Sequence, residues 1–89
     1  MTYVLEDVDA LINIPRSIEG AEIAIEIKER GGQVRASLRS NGNAQVDRVA
    51  AVFGGGGHIR AAGVTFKEMS FEEAKKALLA AAKEELAEV

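Results

Sequence analysis

Cysteine and tryptophan are absent from this 89-residue chain, which has one proline, one histidine, one tyrosine and three phenylalanines. Without cysteine there is no disulfide framework, no thiol nucleophile and no zinc-thiolate site, which fits a reducing compartment. The single histidine, His58, has no carboxylate cluster at ligand spacing beside it, so the chain offers a poor donor set for a metal. A Ser-His-Asp arrangement would have to join His58 to distant Asp47 or Asp9, with nothing to position them. No apolar run approaches the length of a membrane span and no basic-plus-apolar leader opens the chain, so a cytoplasmic location without membrane contact is expected. Phe53, Phe66 and Phe71 stand at apolar-periodic positions and belong to a core rather than to a base-stacking platform.

The acids and bases are unevenly spread. The net charge of −3 argues against a general nucleic-acid coat, yet residues 30–63 carry five bases and one acid, against seven acids and two bases before them and six and four after. The five bases are all arginine: Arg30, Arg35, Arg39, Arg48 and Arg60. The guanidinium is a planar fork suited to carboxylate and phosphate, whereas lysine is the commoner choice for a merely solvated face. A chance clustering on such a face would have the same composition. The coincidence of the basic segment with a run of glycines favours an anion site.

That run is Gly54-Gly55-Gly56-Gly57, followed by His58-Ile59-Arg60-Ala61-Ala62-Gly63. Four consecutive residues without side chains contribute little to a core, and each loses more backbone freedom on ordering than any other residue. A fold tolerates this where backbone passes close to something or must adopt positive φ. The tract is neither a Walker loop, since no Gly-Lys-Ser/Thr follows, nor the dinucleotide fingerprint, since Ile59 stands where a third glycine is required. Read by chemistry, it is a loop whose N–H groups converge with the His58 imidazole and the Arg60 guanidinium on an anion, with residues 58–62 forming one helical turn closed by Gly63. A helix N-terminus would add ~0.3–1 kcal/mol for a negative ligand. Charge-assisted hydrogen bonds would add on the order of 1.5–3 kcal/mol each.

The remaining pattern predicts an α+β domain, a small mixed sheet of at least three strands with helices packed on it. Val4, Val8, Leu11 and Ile12 fall near helical spacing with early acids, predicting a helix over 4–14 ended by Pro15, then a connector to Gly20. Ile23, Ile25 and Ile27 alternate with polar residues, and after Gly31-Gly32 the alternation resumes at Val34, Ala36 and Leu38, which predicts a β-hairpin. Its second strand puts Arg35, Ser37 and Arg39 on the opposite face, where both arginines could reach one anion. Asn43 is a candidate N-cap for a short helix with Val46, Val49, Ala50 and Phe53 on its apolar side, broken by Gly54. Val64 to Phe66 resume a strand. Ser70 and Glu73 form a capping box for a C-terminal helix burying Phe71, Ala74, Leu78, Ala82 and Leu86.

The string from Gly54 to Gly63 resembles the GGGH-x-x-AAG signature of the DHH-associated domain, the C-terminal module of bacterial and archaeal DHH-family phosphoesterases. Upstream, Val34-Arg35-Ala36-Ser37-Leu38-Arg39-Ser40 resembles the family's strand ending in Ser-Leu-Arg-Ser. Asn13 to Gly20 resembles its connector from the catalytic domain. The resemblance covers nearly the whole chain, with residues 1–20 as connector and 21–89 as the module proper. The family includes nanoRNA and 3′-phosphoadenosine 5′-phosphate phosphatases, exopolyphosphatase-related proteins, cyclic-di-AMP phosphodiesterases and RecJ-type exonucleases. It implies a module that holds the nucleotide end of a phosphorylated nucleotide, short RNA or single-stranded nucleic acid. Arg39, Ser40, Gly54, Gly55, Gly56, Gly57 and His58 would touch phosphate or sugar. Arg60 falls at a variable position of the motif and rests on its chemistry alone.

The catalytic Asp-His-His domain with its manganese-binding aspartates is not among these residues. On this resemblance the chain is the C-terminal part of a longer hydrolase, closes over that domain as a partner, holds no cofactor itself and hydrolyses nothing alone. Two other readings stay open. One is a tRNA-binding module like the C-terminal domain of alanyl-tRNA synthetases, which shares the glycine-rich loop but departs at His58 and Ala61-Ala62-Gly63. The other is a small assembly domain whose glycines merely pack tightly.

Overall fold

The computed structural model describes residues 8–15, 22–41 and 44–87. Its elements are β1 (Val8–Pro15), β2 (Glu22–Arg30), β3 (Gln33–Asn41), α1 (Val46–Val52), β4 (Gly56–His58), β5 (Ala61–Phe66) and α2 (Phe71–Ala87). The strands form one sheet in the order β1-β2-β3-β5-β4. The fold class is α+β as expected, but every pairing is antiparallel, so the sheet is not mixed.

The β2–β3 hairpin follows from alternation. Ile23, Ile25 and Ile27 on β2 and Val34, Ala36 and Leu38 on β3 are buried, while Glu26, Lys28, Arg35, Ser37 and Arg39 are exposed. A two-residue turn at Gly31-Gly32, both at positive φ, joins the strands in the twist that a tight hairpin needs. β5 pairs with β3 so that Val64 lies opposite Ala36 and Phe66 opposite Val34, extending the apolar face. Both helices cover that face. α1 contributes Val46, Val49 and Ala50, and α2 contributes Ala74, Leu78, Ala82 and Leu86. Phe53 meets Phe66 edge to face at 5.4 Å between ring centroids, fastening the end of α1 to β5. Burying each of the fully enclosed isoleucines is worth about 1.5–3 kcal/mol, so β2 is the strand the core depends on most.

Three local expectations need correction. Residues 8–14, expected to be helical, are the edge strand β1, and residues 1–7 and the connector at 16–20 lie outside the described residues. In β1, Ala10, Ile12 and Ile14 stand opposite Ile27, Ile25 and Ile23, so an alternating pattern was present beneath the helical spacing. Pairing with an all-isoleucine neighbour outweighs local periodicity. Pro15 ends the strand at its last paired position, as befits a residue with no N–H on an edge strand. The helical turn expected at 58–62 is instead a hairpin, with β4 and β5 joined through Ile59-Arg60.

The third correction concerns capping. Asn43 lies outside the described residues, and the N-cap position of α1 is Gln45, whose side chain makes no capping bond. Its backbone N–H donates instead to Glu85 Oε2 of α2 at 3.0 Å, and Glu85 Oε1 lies 3.5 Å from Arg48 Nε. Glu85 is only 6% exposed. It anchors the start of α1, the helix that leads into the glycines, from another element. The capping box of α2 forms as expected, with Glu73 N–H donating to Ser70 Oγ at 3.1 Å and Ser70 N–H to Glu73 Oε1 at 3.0 Å.

Candidate functional site

The site grows out of the excursion between β3 and β5. Where β3 ends, the Ser40 N–H donates to the Arg60 carbonyl at 3.1 Å. The Ser40 hydroxyl donates to the Ala44 carbonyl at 2.8 Å, with the Ile59 carbonyl 3.3 Å away. The Ile59 carbonyl also accepts the Val46 N–H at 2.8 Å. Ser40 thus clasps the two ends of the excursion, and its single hydroxyl proton is committed to backbone.

The glycines divide the remaining work. The Phe53 and Gly55 N–H groups both donate to the Ala50 carbonyl and the Gly54 N–H to the Ala51 carbonyl, so the first two glycine amides finish α1 instead of facing a ligand. Gly55 lies against β5 so closely that a Cβ there would stand 2.2 Å from the Gly63 carbonyl oxygen. Gly57 has φ +149, and a Cβ on it would meet the Ala61 carbonyl and Ala62 Cα at 2.6 Å. Gly56 differs: no neighbour lies within 4 Å of where its Cβ would be. Among the described residues β4 has β5 on one side and no strand on the other, so alternate backbone groups of Gly56–His58 point away from the sheet.

Register then locates the side chains, because directly opposed residues share a face. Arg39 lies opposite Ala61, and Ala61 opposite His58, giving the row Arg39–Ala61–His58. The next row is Ser37–Gly63–Gly56, and the one beyond it continues with Arg35–Thr65. All of these residues are exposed, on the side of the sheet opposite the helices. Two strand spacings separate Arg39 from His58, about 10 Å between Cα atoms, with only a methyl group between them. The result is a floor of bare backbone at Gly56, Gly63 and Ala61 between an imidazole and a guanidinium. Arg60 is exposed at the hairpin tip, two residues past His58.

The structure therefore brings Arg39, His58 and Gly56 together on one open face and puts Arg60 at its rim. It directs Ser40 into the clasp and Gly54 and Gly55 into the end of α1. Ala61 and Gly63 are floor residues whose role is visible only in the register. Glu85 also escaped notice, although the pattern marked it: it stands seven residues after Leu78 and next to Leu86, on the buried stripe of α2. Among the described residues no group of three or more His, Cys, Asp or Glu could hold a metal ion. No helix is long and apolar enough to cross a membrane among the described residues.

The bifunctional oligoribonuclease and PAP phosphatase NrnA of Thermus thermophilus is 36% identical to the chain over 81 residues. The match covers 91% of this chain and 25% of that protein, so the chain spans about a quarter of the length of the relative it matches. The family model for the DHHA1 domain matches residues 5–88, which takes in the clasp, the glycine tract and the row of Arg39, Ala61 and His58. With nearly the whole chain inside that match, this protein belongs to the DHHA1 domain family, the module associated with DHH-family phosphoesterases.

Proposed function

We propose that this domain is the substrate-binding module of a DHH-family phosphoesterase and grips the phosphate end of a nucleotide or short RNA. The observation that carries this reading is the bare floor of Gly56, Gly63 and Ala61 flanked by Arg39 and His58 on the face that no helix covers. A phosphate can approach such a floor to hydrogen-bond distance of main chain, where any larger side chain would hold it off. Arg39 supplies a fork for two phosphate oxygens, and His58 a ring N–H. The outward backbone N–H groups of β4 add uncharged donors. Arg60 at the rim steers the anion without fixing its orientation. The relative named above is an oligoribonuclease and PAP phosphatase, which supports a nucleotide or short RNA as the ligand.

Hydrolysis itself needs a group that these residues lack. The metal chemistry of such a phosphoesterase belongs to a separate catalytic domain, which this module would serve by delivering and orienting the substrate.

The test is an NMR titration of the chain with adenosine 3′,5′-bisphosphate. The His58 ring and the Gly56 and Gly57 amides should shift and saturate, while the Gly54 and Gly55 amides, already bonded to α1, move least. Arg39→Ala and His58→Ala should each weaken binding by about tenfold or more, since a hydrogen bond to a charged group is worth about 1.5–3 kcal/mol. No manganese-dependent release of phosphate is expected from the chain alone. Absence of any shift at His58 and Gly56 at millimolar ligand would refute the reading.

A further inference from the structure

Arg39 has a second side. Ala24 of β2 stands opposite it just as Ala61 of β5 does, so the guanidinium rises between two small residues. On the β2 side the helix-free face sinks into a small open pocket of about 210 Å³, bordered by Glu22, Ala24, Arg39, Ser40 and Asn41. Glu22 and Asn41 stand opposite each other at its end. We infer that this pocket holds the sugar of the nucleotide, with Glu22 accepting a hydrogen bond from the ribose 2′-hydroxyl and the Asn41 amide donating to the same oxygen. The domain then tells ribose from deoxyribose. The inference rests on the phosphate-gripping reading of Arg39 and His58 and names what lies next to the phosphate.

The chemistry on the two sides of Arg39 is opposite. Toward β5 and β4 lie His58, bare backbone and, at the rim, Arg60, all of which donate to an anion. Toward β2 lies a carboxylate, which only accepts and which repels a phosphate. A fragment seated there must be uncharged and must bring its own donor. The sugar meets both demands, since the 2′-hydroxyl sits on the carbon next to the one that bears a 3′-phosphate. Glu22 is a diagonal neighbour of Arg39 across the β2–β3 ladder, about 7–8 Å between Cα atoms, so carboxylate and guanidinium can engage adjoining parts of one molecule. A hydroxyl both donates and accepts, and Glu22 with Asn41 supplies one acceptor and one donor for it.

Position alone does not single out Glu22, because Glu26 is the other diagonal neighbour of Arg39 on β2. The two carboxylates differ in what they already hold. Glu26 lies 3.8 Å from Lys28 on its own strand, whereas among the described residues Glu22 has no ion pair. Glu22 is also half-buried where Glu26 is exposed. Its oxygens are thus available to a ligand in a partly dry setting, where a hydrogen bond is stronger than in open water. Glu22 acts against the wrong ligand as well. Its charge weakens the hold of Arg39 on every phosphate, and only a ligand with a 2′-hydroxyl to donate offsets that penalty.

The experiment titrates the 89-residue chain with adenosine 3′,5′-bisphosphate and with its 2′-deoxy analogue, followed by NMR. Both ligands should shift His58 and Gly56, and the ribonucleotide alone should shift the Asn41 side-chain amide. The ribonucleotide should bind about fivefold or more tightly, because a hydrogen bond to a charged group separates the two. Glu22→Ala should bring the two affinities together, weakening the ribonucleotide and leaving the deoxynucleotide equal or tighter. Glu22→Gln, whose amide oxygen still accepts, should keep part of the preference, and Glu26→Ala should keep all of it. Equal affinities for the wild-type chain, or a Glu22→Ala variant that changes both ligands alike, would overturn the inference, and the phosphate grip stands as long as His58 responds. If neither ligand moves His58 or Gly56, both readings fall together.

Discussion

Gly55→Ala and Gly56→Ala change adjacent residues by the same single methyl group, yet they should differ by about 2–5 kcal/mol in stability. At position 55 the new carbon would sit 2.2 Å from the Gly63 carbonyl oxygen, 3.0 Å from Val64 Cγ2 and 3.1 Å from Val64 Cα. Ordinary van der Waals contact begins at 3.4 Å, so β5 and the tract must separate by about 1 Å. The obstacle is backbone, held on both sides by Ser37 of β3 and Gly56 of β4, and cannot swing aside as a side-chain tip would. Overpacking of this kind costs about 1–3 kcal/mol, and loosening one ladder hydrogen bond adds about 1 kcal/mol.

At position 56 the methyl group meets nothing within 4 Å and the backbone has no positive φ. Reduced freedom of the unfolded chain then makes the change neutral or stabilising by about 0.4–1 kcal/mol. An 89-residue domain has about 4–13 kcal/mol in hand, so Gly55→Ala removes a large part of it. At about 4–8 °C per kcal/mol, the melting temperature should fall by roughly 10–30 °C for Gly55→Ala and stay put or rise slightly for Gly56→Ala. Urea denaturation followed by circular dichroism measures both, and equal m-values exclude a change in the unfolded state. Equal losses for the two variants, or a wild-type midpoint for Gly55→Ala, would refute the packing argument. The roles should reverse in binding: Gly56→Ala raises a methyl group from the open floor and should weaken adenosine 3′,5′-bisphosphate in a domain that melts normally.

Two further variants test the framework behind the site. Glu85→Ala removes a charge-assisted bond to the Gln45 N–H and the contact with Arg48, and should lower unfolding free energy by about 2–3 kcal/mol. Glu85→Gln, whose amide oxygen still accepts that N–H, should lose less than half as much by chemical denaturation. Ser70→Ala breaks the capping box of α2 and should cost about 1 kcal/mol in the same assay, with binding to the open face unaffected.

Much of this architecture could be read from residues alone wherever one element carried its own signal. Isoleucines alternating on β2, the Gly31-Gly32 turn, the apolar spacing of α1 and the Ser70–Glu73 box each name their structure without help from the rest of the chain. The failures came where a partner decides. β1 carries both helical and alternating patterns, and only the isoleucines opposite it select one. β4 is nearly all glycine, with no strand propensity of its own, and exists because Gly55 and Gly57 let it lie flush on β5.

The candidate site was half visible for the same reason. Alternation alone placed Arg35 and Arg39 on one face. Setting His58 in line with Arg39 required the β4–β5 pairing, which nothing local announces. Ser40 is named through the resemblance alone, and no local pattern announces that its hydroxyl donates to the Ala44 carbonyl.

The Ser40 clasp has a mechanical consequence. Because the Ser40 N–H meets the Arg60 carbonyl, the end of β3 is tied directly to the turn between β4 and β5. A pull on that turn is passed straight to the strand that bears Arg39, so the two flanks of the open face move as one piece.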